Sequence, residues 1–201
     1  MRPPRSVPGI TDCGVPGIKP LVYGSHLCHF YPSREELIQG LVPFFQAGLR
    51  NNERCLWVTA EPLPAAEAKR ELARVVPDVQ ERIATDQLRI LDGGEWYELS
   101  RLSAEARVAR WLEEETAALG AGFNGLRITG NVNFLTAETW HEFMAYERLV
   151  SKAFEHRRIV ALCSYDLSRC QPWEVLDVIG HHHHTLVRGD DSWEILQYRG
   201  S

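Results

Sequence analysis

Imidazole, thiol and phenol side chains crowd one short run, His26-Leu27-Cys28-His29-Phe30-Tyr31. Side chains alternate along an extended strand, so His26, Cys28 and Phe30 would share one face and His29 and Tyr31 the other. Imidazole and thiolate together suit zinc, copper or iron. The same run also suits a plain buried strand, because a free cysteine packs as a small apolar residue. A second pair, Cys163 and Cys170, flanks Ser164-Tyr165-Asp166-Leu167. A parallel sheet would let Cys163 lie near Cys28, as a metal or redox pair or as two isolated buried thiols. Four consecutive histidines, His181–His184, form the third group. On a helix they point around the circumference, and only His181 and His184 share a face. All four cannot hold one ion. The alternative is a polar helix end, where histidine meets the negative pole of the dipole. Among the carboxylates, Glu138 and Glu142 read as solvated. Glu147 sits beside an apolar stripe and needs a partner such as Arg127 or a histidine.

Some chemistries are absent. The chain has no GxSxG, no HExxH and no CxxC. After the first reactive run comes Tyr31-Pro32-Ser33-Arg34-Glu35, without the glycines and lysine of a phosphate loop. Pro32 removes an amide donor, and Glu35 and Glu36 would repel an anion. ATP bound by a phosphate loop is not expected.

Alternating elements must position these groups. HLCHFY reads as a strand ended by Pro32, and Ser33-Arg-Glu-Glu36 as a capping box opening a helix. Leu37, Leu41, Phe44, Phe45 and Leu49 give that helix its apolar face. Strands follow at Cys55–Thr59, Gln87–Leu91, Leu126–Thr129 and Ile159–Tyr165. Helices are expected over 64–76, over 103–119 from a Ser103 cap, from a Thr136 cap to Phe154, and from Pro172 into the histidine run. Leu186–Val187 and Trp193–Gln197 flank a Gly189-Asp190-Asp191 turn, as in a terminal hairpin. This order predicts an α/β fold: a mainly parallel central sheet covered on both faces, with a C-terminal antiparallel hairpin. Residues 1–20, with five prolines and three glycines, read as a flexible N-terminal arm, leaving 21–201 as one domain. Ligands of such sheets sit beyond the strand carboxyl ends. That rule favours the end of HLCHFY, the Gly130–Asn133 turn, the Tyr165–Cys170 loop, and the loops at Glu61 and Trp96-Tyr97.

The net charge of −5 among 201 residues offers no basic face for nucleic acid. No apolar run approaches the ~20 residues that span a bilayer. A cytoplasmic protein with five free cysteines is expected, without direct nucleic-acid or membrane contact.

Four stretches carry a family resemblance: GSHLCHFYPSREELIQGLVPFFQAGLRNNERCLWVTAEPL, GLRITGNVNFLTAETWHEFMAYERLV, IVALCSYDLSRC and DVIGHHHHTLVRGDDSWEI. Together they resemble the MEDS domain of methanogen and methylotroph sensory proteins. The resemblance implies a RecA-like three-layer sandwich that departs from its ATPase relatives by lacking the phosphate loop. It also implies a small-molecule-sensing regulatory module, not an enzyme, for simple hydrocarbon derivatives. No kinase or DNA-binding segment is attached, so a signalling protein partner is expected. The family's pattern falls on His26, Cys28, Tyr31, Trp96, Tyr97, Arg127, Gly130, Asn131, Tyr146, Glu147, Cys163, Tyr165, Cys170 and His181, a neighbour of His181 being the alternative for the last. The ligand would lie between His26, Cys28, Tyr31, Tyr165 and His181. A metal- or redox-responsive module built on Cys28, Cys163, Cys170 and His181 is the second reading. A degenerate ATPase-like protein-interaction domain is the third, and a homo-oligomer is a separate expectation about partners.

Overall fold

The segment Ile159–Asp166, IVALCSYD, is apolar on almost every residue and lies at the centre of a seven-stranded sheet, where both faces are covered. The computed structural model describes residues 9–93, 96, 103–131, 139–190 and 192–197. Its strands are β1 (Ile10–Thr11), β2 (Leu21–Val22), β3 (His26–Tyr31), β4 (Arg54–Thr59), β5 (Leu88–Asp92), β6 (Leu126–Asn131), β7 (Ile159–Asp166), β8 (His184–Arg188) and β9 (Trp193–Gln197). Its helices are α1 (Arg34–Arg50), α2 (Ala65–Ala73), α3 (Val79–Ala84), α4 (Ala104–Gly120), α5 (Trp140–Phe154) and α6 (Pro172–His181).

The main sheet runs β5-β4-β6-β7-β3-β8-β9. Every pairing is parallel except the last, where β8 and β9 form the antiparallel hairpin. On one face lie α1 and α2, with Leu37, Phe44, Phe45 and Leu72 packed on Leu27, Tyr31 and Trp57. On the other lie α4, α5 and α6, with Trp111, Phe143, Phe154 and Val178 packed on Cys28, Leu56 and Ile128. The result is a mixed α/β sandwich of three layers. Among the described residues no helix is long and apolar enough to cross a membrane.

Local signals set the element ends. Ser33 accepts the amide of Glu36 at the start of α1, and Ser103 that of Ala106 at the start of α4. The helix expected over 64–76 stops at Ala73, and α3, which has little apolar periodicity, was not foreseen. The Thr136 cap lies outside the described residues.

Two expectations are corrected. Residues 9–20 are not a flexible arm. Ile10–Thr11 pairs with Leu21–Val22, and Cys13 and Val15 are buried. Gly14, at φ +82°, lies so close to α1 that an added Cβ would meet the Pro43 carbonyl oxygen at 2.1 Å. Proline and glycine content suggested freedom, but here it serves a close packing of backbone on helix. Second, the histidine run is not helical throughout. Helix α6 ends at His181, and His182 takes an extended conformation, φ −117°, ψ 153°.

Candidate functional site

The turn at His182 creates the site. Helical periodicity would point successive histidines around a cylinder; the extended backbone instead swings His182 inward and starts the path to β8. His183 ties that path to β3: its amide donates to the His26 carbonyl at 2.9 Å, and its Nδ1 accepts the His26 amide at 3.1 Å. His26 opens β3 with its side chain toward α5. Glu147 lies on the buried stripe of α5 between Phe143 and Val150, and Cys163 is in the middle of β7.

Four ligand-type atoms therefore converge on one face of the sheet. His26 Nε2 and His182 Nε2 lie 3.2 and 3.4 Å from Glu147 Oε2. Cys163 Sγ is 3.3 Å from His26 Nε2. All four lie within 4.8 Å of one another, a potential metal-binding cluster. The two imidazole centroids are 4.0 Å apart. His26 is fully buried, and Glu147 is 2% exposed.

The outer ring nitrogens are engaged. His182 Nδ1 lies 2.7 Å from the Val178 carbonyl oxygen, which only accepts, so Nδ1 carries a proton. Ser151 gives its hydroxyl proton to the His181 carbonyl and accepts from His26 Nδ1 at 2.8 Å. In the neutral state both Nε2 atoms thus present lone pairs to the cluster. Burial, with the neighbouring His182 ring, pulls His26 down to about 4, against the pull of Glu147. Burial opposes ionisation of Glu147, whereas a proton on Nε2 of His182 or His26 would favour it and draw the carboxyl down to about 2. Glu147 Oε2 and His182 Nε2 have no hydrogen-bond partner.

A cavity of about 20 Å³ adjoins the cluster, lined by His26, Glu147 and Cys163 and by Trp111, Tyr146 and Phe154. One water needs about 10–15 Å³, so this space fits an ion, a water or one small group.

Residues 25–183 match MEDS, the methanogen/methylotroph DcmR sensory domain. The chain belongs to the MEDS family. That gives it a general sensory, regulatory role, and the matched span contains all four cluster residues. Among solved structures, a KaiC-like protein from the hyperthermophilic archaeon Pyrococcus horikoshii OT3 is 10% identical, with 95% of this chain and 89% of that one covered at a TM-score of 0.61. The flagellar accessory protein FlaH from Methanocaldococcus jannaschii is also 10% identical, covering 88% and 79%, with a TM-score of 0.55. At such identity the likeness concerns the fold, which is RecA-like. No curated protein matches the chain significantly.

Of the residues expected at the MEDS site, His26, Glu147 and Cys163 meet directly. Tyr165 stands beside them, its ring 5.9 Å from that of His182. Cys28 is the β3 partner of Cys163 in register, but its thiol donates to Thr185 Oγ1 at 3.3 Å, and burial pushes it up to about 12. Trp96 packs against Trp111 with ring centroids 4.5 Å apart and tilted by 33°, one residue removed from the cavity.

Others lie elsewhere. Tyr31 and Arg127 are on the opposite face of the sheet, with α1. Arg127 is not the partner of Glu147: it pairs with buried Glu53 and donates to the carbonyls of Asp12, Cys13 and Phe44. His181 points outward, between Arg148 and the Asp177 carbonyl. Cys170 is half-buried and outside the cluster, so of the metal candidates Cys28, Cys163, Cys170 and His181 only Cys163 belongs to it. Gly130 lines the cavity. Tyr97, Glu138 and the side chain of Asn131 lie outside the described residues. Nor is the cluster beyond the strand carboxyl ends: His26 is the first residue of β3, so the site sits under α5 toward that strand's amino end.

Sequence reasoning preferred His181, with a neighbour as the alternative, where the structure selects His182, and it missed Ser151. The need of Glu147 for a partner pointed to Arg127 or a histidine, but the chain reversal that selects the second histidine of the run depends on where α6 stops.

Proposed function

We propose that this MEDS domain is a receptor module that reads a small chemical signal at the His26–Glu147–Cys163–His182 cluster and hands it to a signalling partner without catalysis of its own. One observation carries this reading. A carboxylate and two imidazoles are buried together beside a partly buried thiol in a largely apolar layer, with polar atoms left without hydrogen bonds. Each such atom costs about 1–3 kcal/mol, a burden that a purely structural core avoids. The adjoining cavity limits the signal to an ion or a molecule of one or two heavy atoms unless α5 moves. The sequence does not favour phosphate chemistry, since α1 follows Pro32-Ser33 without a glycine loop or lysine.

A thermal-shift panel of small alcohols, amines and methylated compounds tests the reading. A bound compound at 100-fold its Kd adds about 2.7 kcal/mol of stability. The expected result is a raised melting temperature in the wild type and none in Glu147→Gln. A panel in which every compound leaves both proteins unmoved, or moves both equally, refutes it for this ligand class.

A further inference from the structure

We propose that the cluster is a transition-metal site that takes one zinc-class divalent cation, with His26 Nε2, His182 Nε2, Glu147 Oε2 and Cys163 Sγ as its four ligands. The inference rests on the reading of this cluster as the receptor centre and names what occupies it.

Hydrogen-bond accounting comes first. Val178 and Ser151 fix the protons of both rings on Nδ1. Both Nε2 atoms are then lone pairs, and both face a carboxylate oxygen that also has only lone pairs to give. The Cys163 thiol is the single donor among the four. Three acceptors aimed at one enclosed point repel one another, and a metal cation between them would satisfy all three at once.

Distances agree. Tetrahedral zinc with ligand bonds of about 2.0–2.3 Å has ligand-to-ligand edges of roughly 3.3–3.7 Å. Three of the six edges here are 3.2, 3.4 and 3.3 Å, and the other three are at most 4.8 Å. Hydrogen bonding of the outer imidazole nitrogens to a carbonyl and a hydroxyl is the orienting contact that metal-bound histidines make. The donor set decides the class. Two nitrogens, one oxygen and one sulfur suit zinc, cobalt or iron, whereas calcium and magnesium call for oxygen ligands. On binding, the metal–sulfur bond forms and the Cys163 thiol proton leaves to solvent, so the thiolate and Glu147 together neutralise the dication. The ligands come from β3, α5, β7 and the α6–β8 connection, so one ion would clamp four separate elements.

Cobalt(II) titration of the full chain, stripped with chelator, provides the test. The expected result is one equivalent bound, with intense visible d–d bands of four-coordinate cobalt and a near-ultraviolet thiolate charge-transfer band, both displaced by zinc. Cys163→Ser should lose the charge-transfer band and keep visible bands. His182→Ala should weaken binding by about 10-fold or more, and His181→Ala and Cys28→Ser should leave it unchanged. Wild-type protein that stays folded by circular dichroism yet binds no cobalt overturns the site. So does a weak six-coordinate spectrum lost in His181→Ala, which would mean an adventitious ion on the partly exposed histidines. A compound that shifts chelator-stripped wild type but not Glu147→Gln would keep the receptor reading even where the metal fails.

Discussion

At the scale of the residue, the cluster sets function against stability. Without a cation, the Glu147 carboxylate faces two nitrogen lone pairs. A glutamine in its place could turn its amide hydrogens toward both. Metal-free Glu147→Gln is therefore expected to be more stable than metal-free wild type, by about 1 kcal/mol, read from urea unfolding. An equal or lower midpoint would mean that the tautomers are not those drawn from Val178 and Ser151. His29, on the opposite side of β3, makes a separate prediction. Both its ring nitrogens are buried without hydrogen bonds, and Glu36 Oε1, at 4.0 Å, is beyond hydrogen-bond reach. Burial lowers its proton affinity from the usual 6.5, and Glu36 only partly offsets this. Below about pH 6.5 the unfolded imidazole takes up a proton that the folded one refuses, so stability is full above that pH and falls as the pH drops toward the lowered value. His29→Leu should flatten part of the fall in a urea series between pH 7 and 4, leaving the share of His26.

At the scale of the element, the N-terminal segment is a functional part of the sheet's second face. Arg127 is fully buried, and its donors go to the Asp12 and Cys13 carbonyls and to Thr11. Glu53 in turn accepts from Thr11 and Tyr23. Burial favours the neutral acid, but Arg127 outweighs it and holds Glu53 below the usual carboxylate range. Deleting residues 1–13 would leave this ion pair short of hydrogen bonds. Leaving buried charged donors unmet costs about 1–3 kcal/mol or more each, so the truncated chain should melt well below the full one. A melting temperature unchanged by the deletion would show that the segment only rests on the surface. The sequence hid this because main-chain carbonyls, which no residue type advertises, are the partners. By contrast α1 was legible: Ser33, the Leu37–Leu41–Phe44 stripe and the turn at Asn51 are local signals, and local backbone chemistry obeys them.

At the scale of the whole molecule, alternating strands and helices were enough to predict a covered parallel sheet, because a parallel crossover needs a helix. Sheet order was not. That β3 stands between β7 and β8, far from β4, depends on which apolar faces meet, and those contacts join residues over a hundred positions apart. The candidate site follows the same division. His26, Glu147 and Cys163 stood out by type and by position on an amphipathic pattern. Arg127 stood out equally and proved to serve the other layer, since strand alternation puts neighbours on opposite faces without saying which face carries chemistry.

The amino-acid sequence by itself determined the class of fold, the missing phosphate loop and most of the reactive groups, because each rests on residue type and on periods of two or 3.6 along the chain. Only the tertiary structure decided that four of those groups share one point, that the second of four histidines is the one turned inward, and that the point lies beneath α5 instead of beyond the strand ends. Convergence of this kind is set by long-range packing, and a single helix end one residue earlier or later would have aimed a different imidazole into the core.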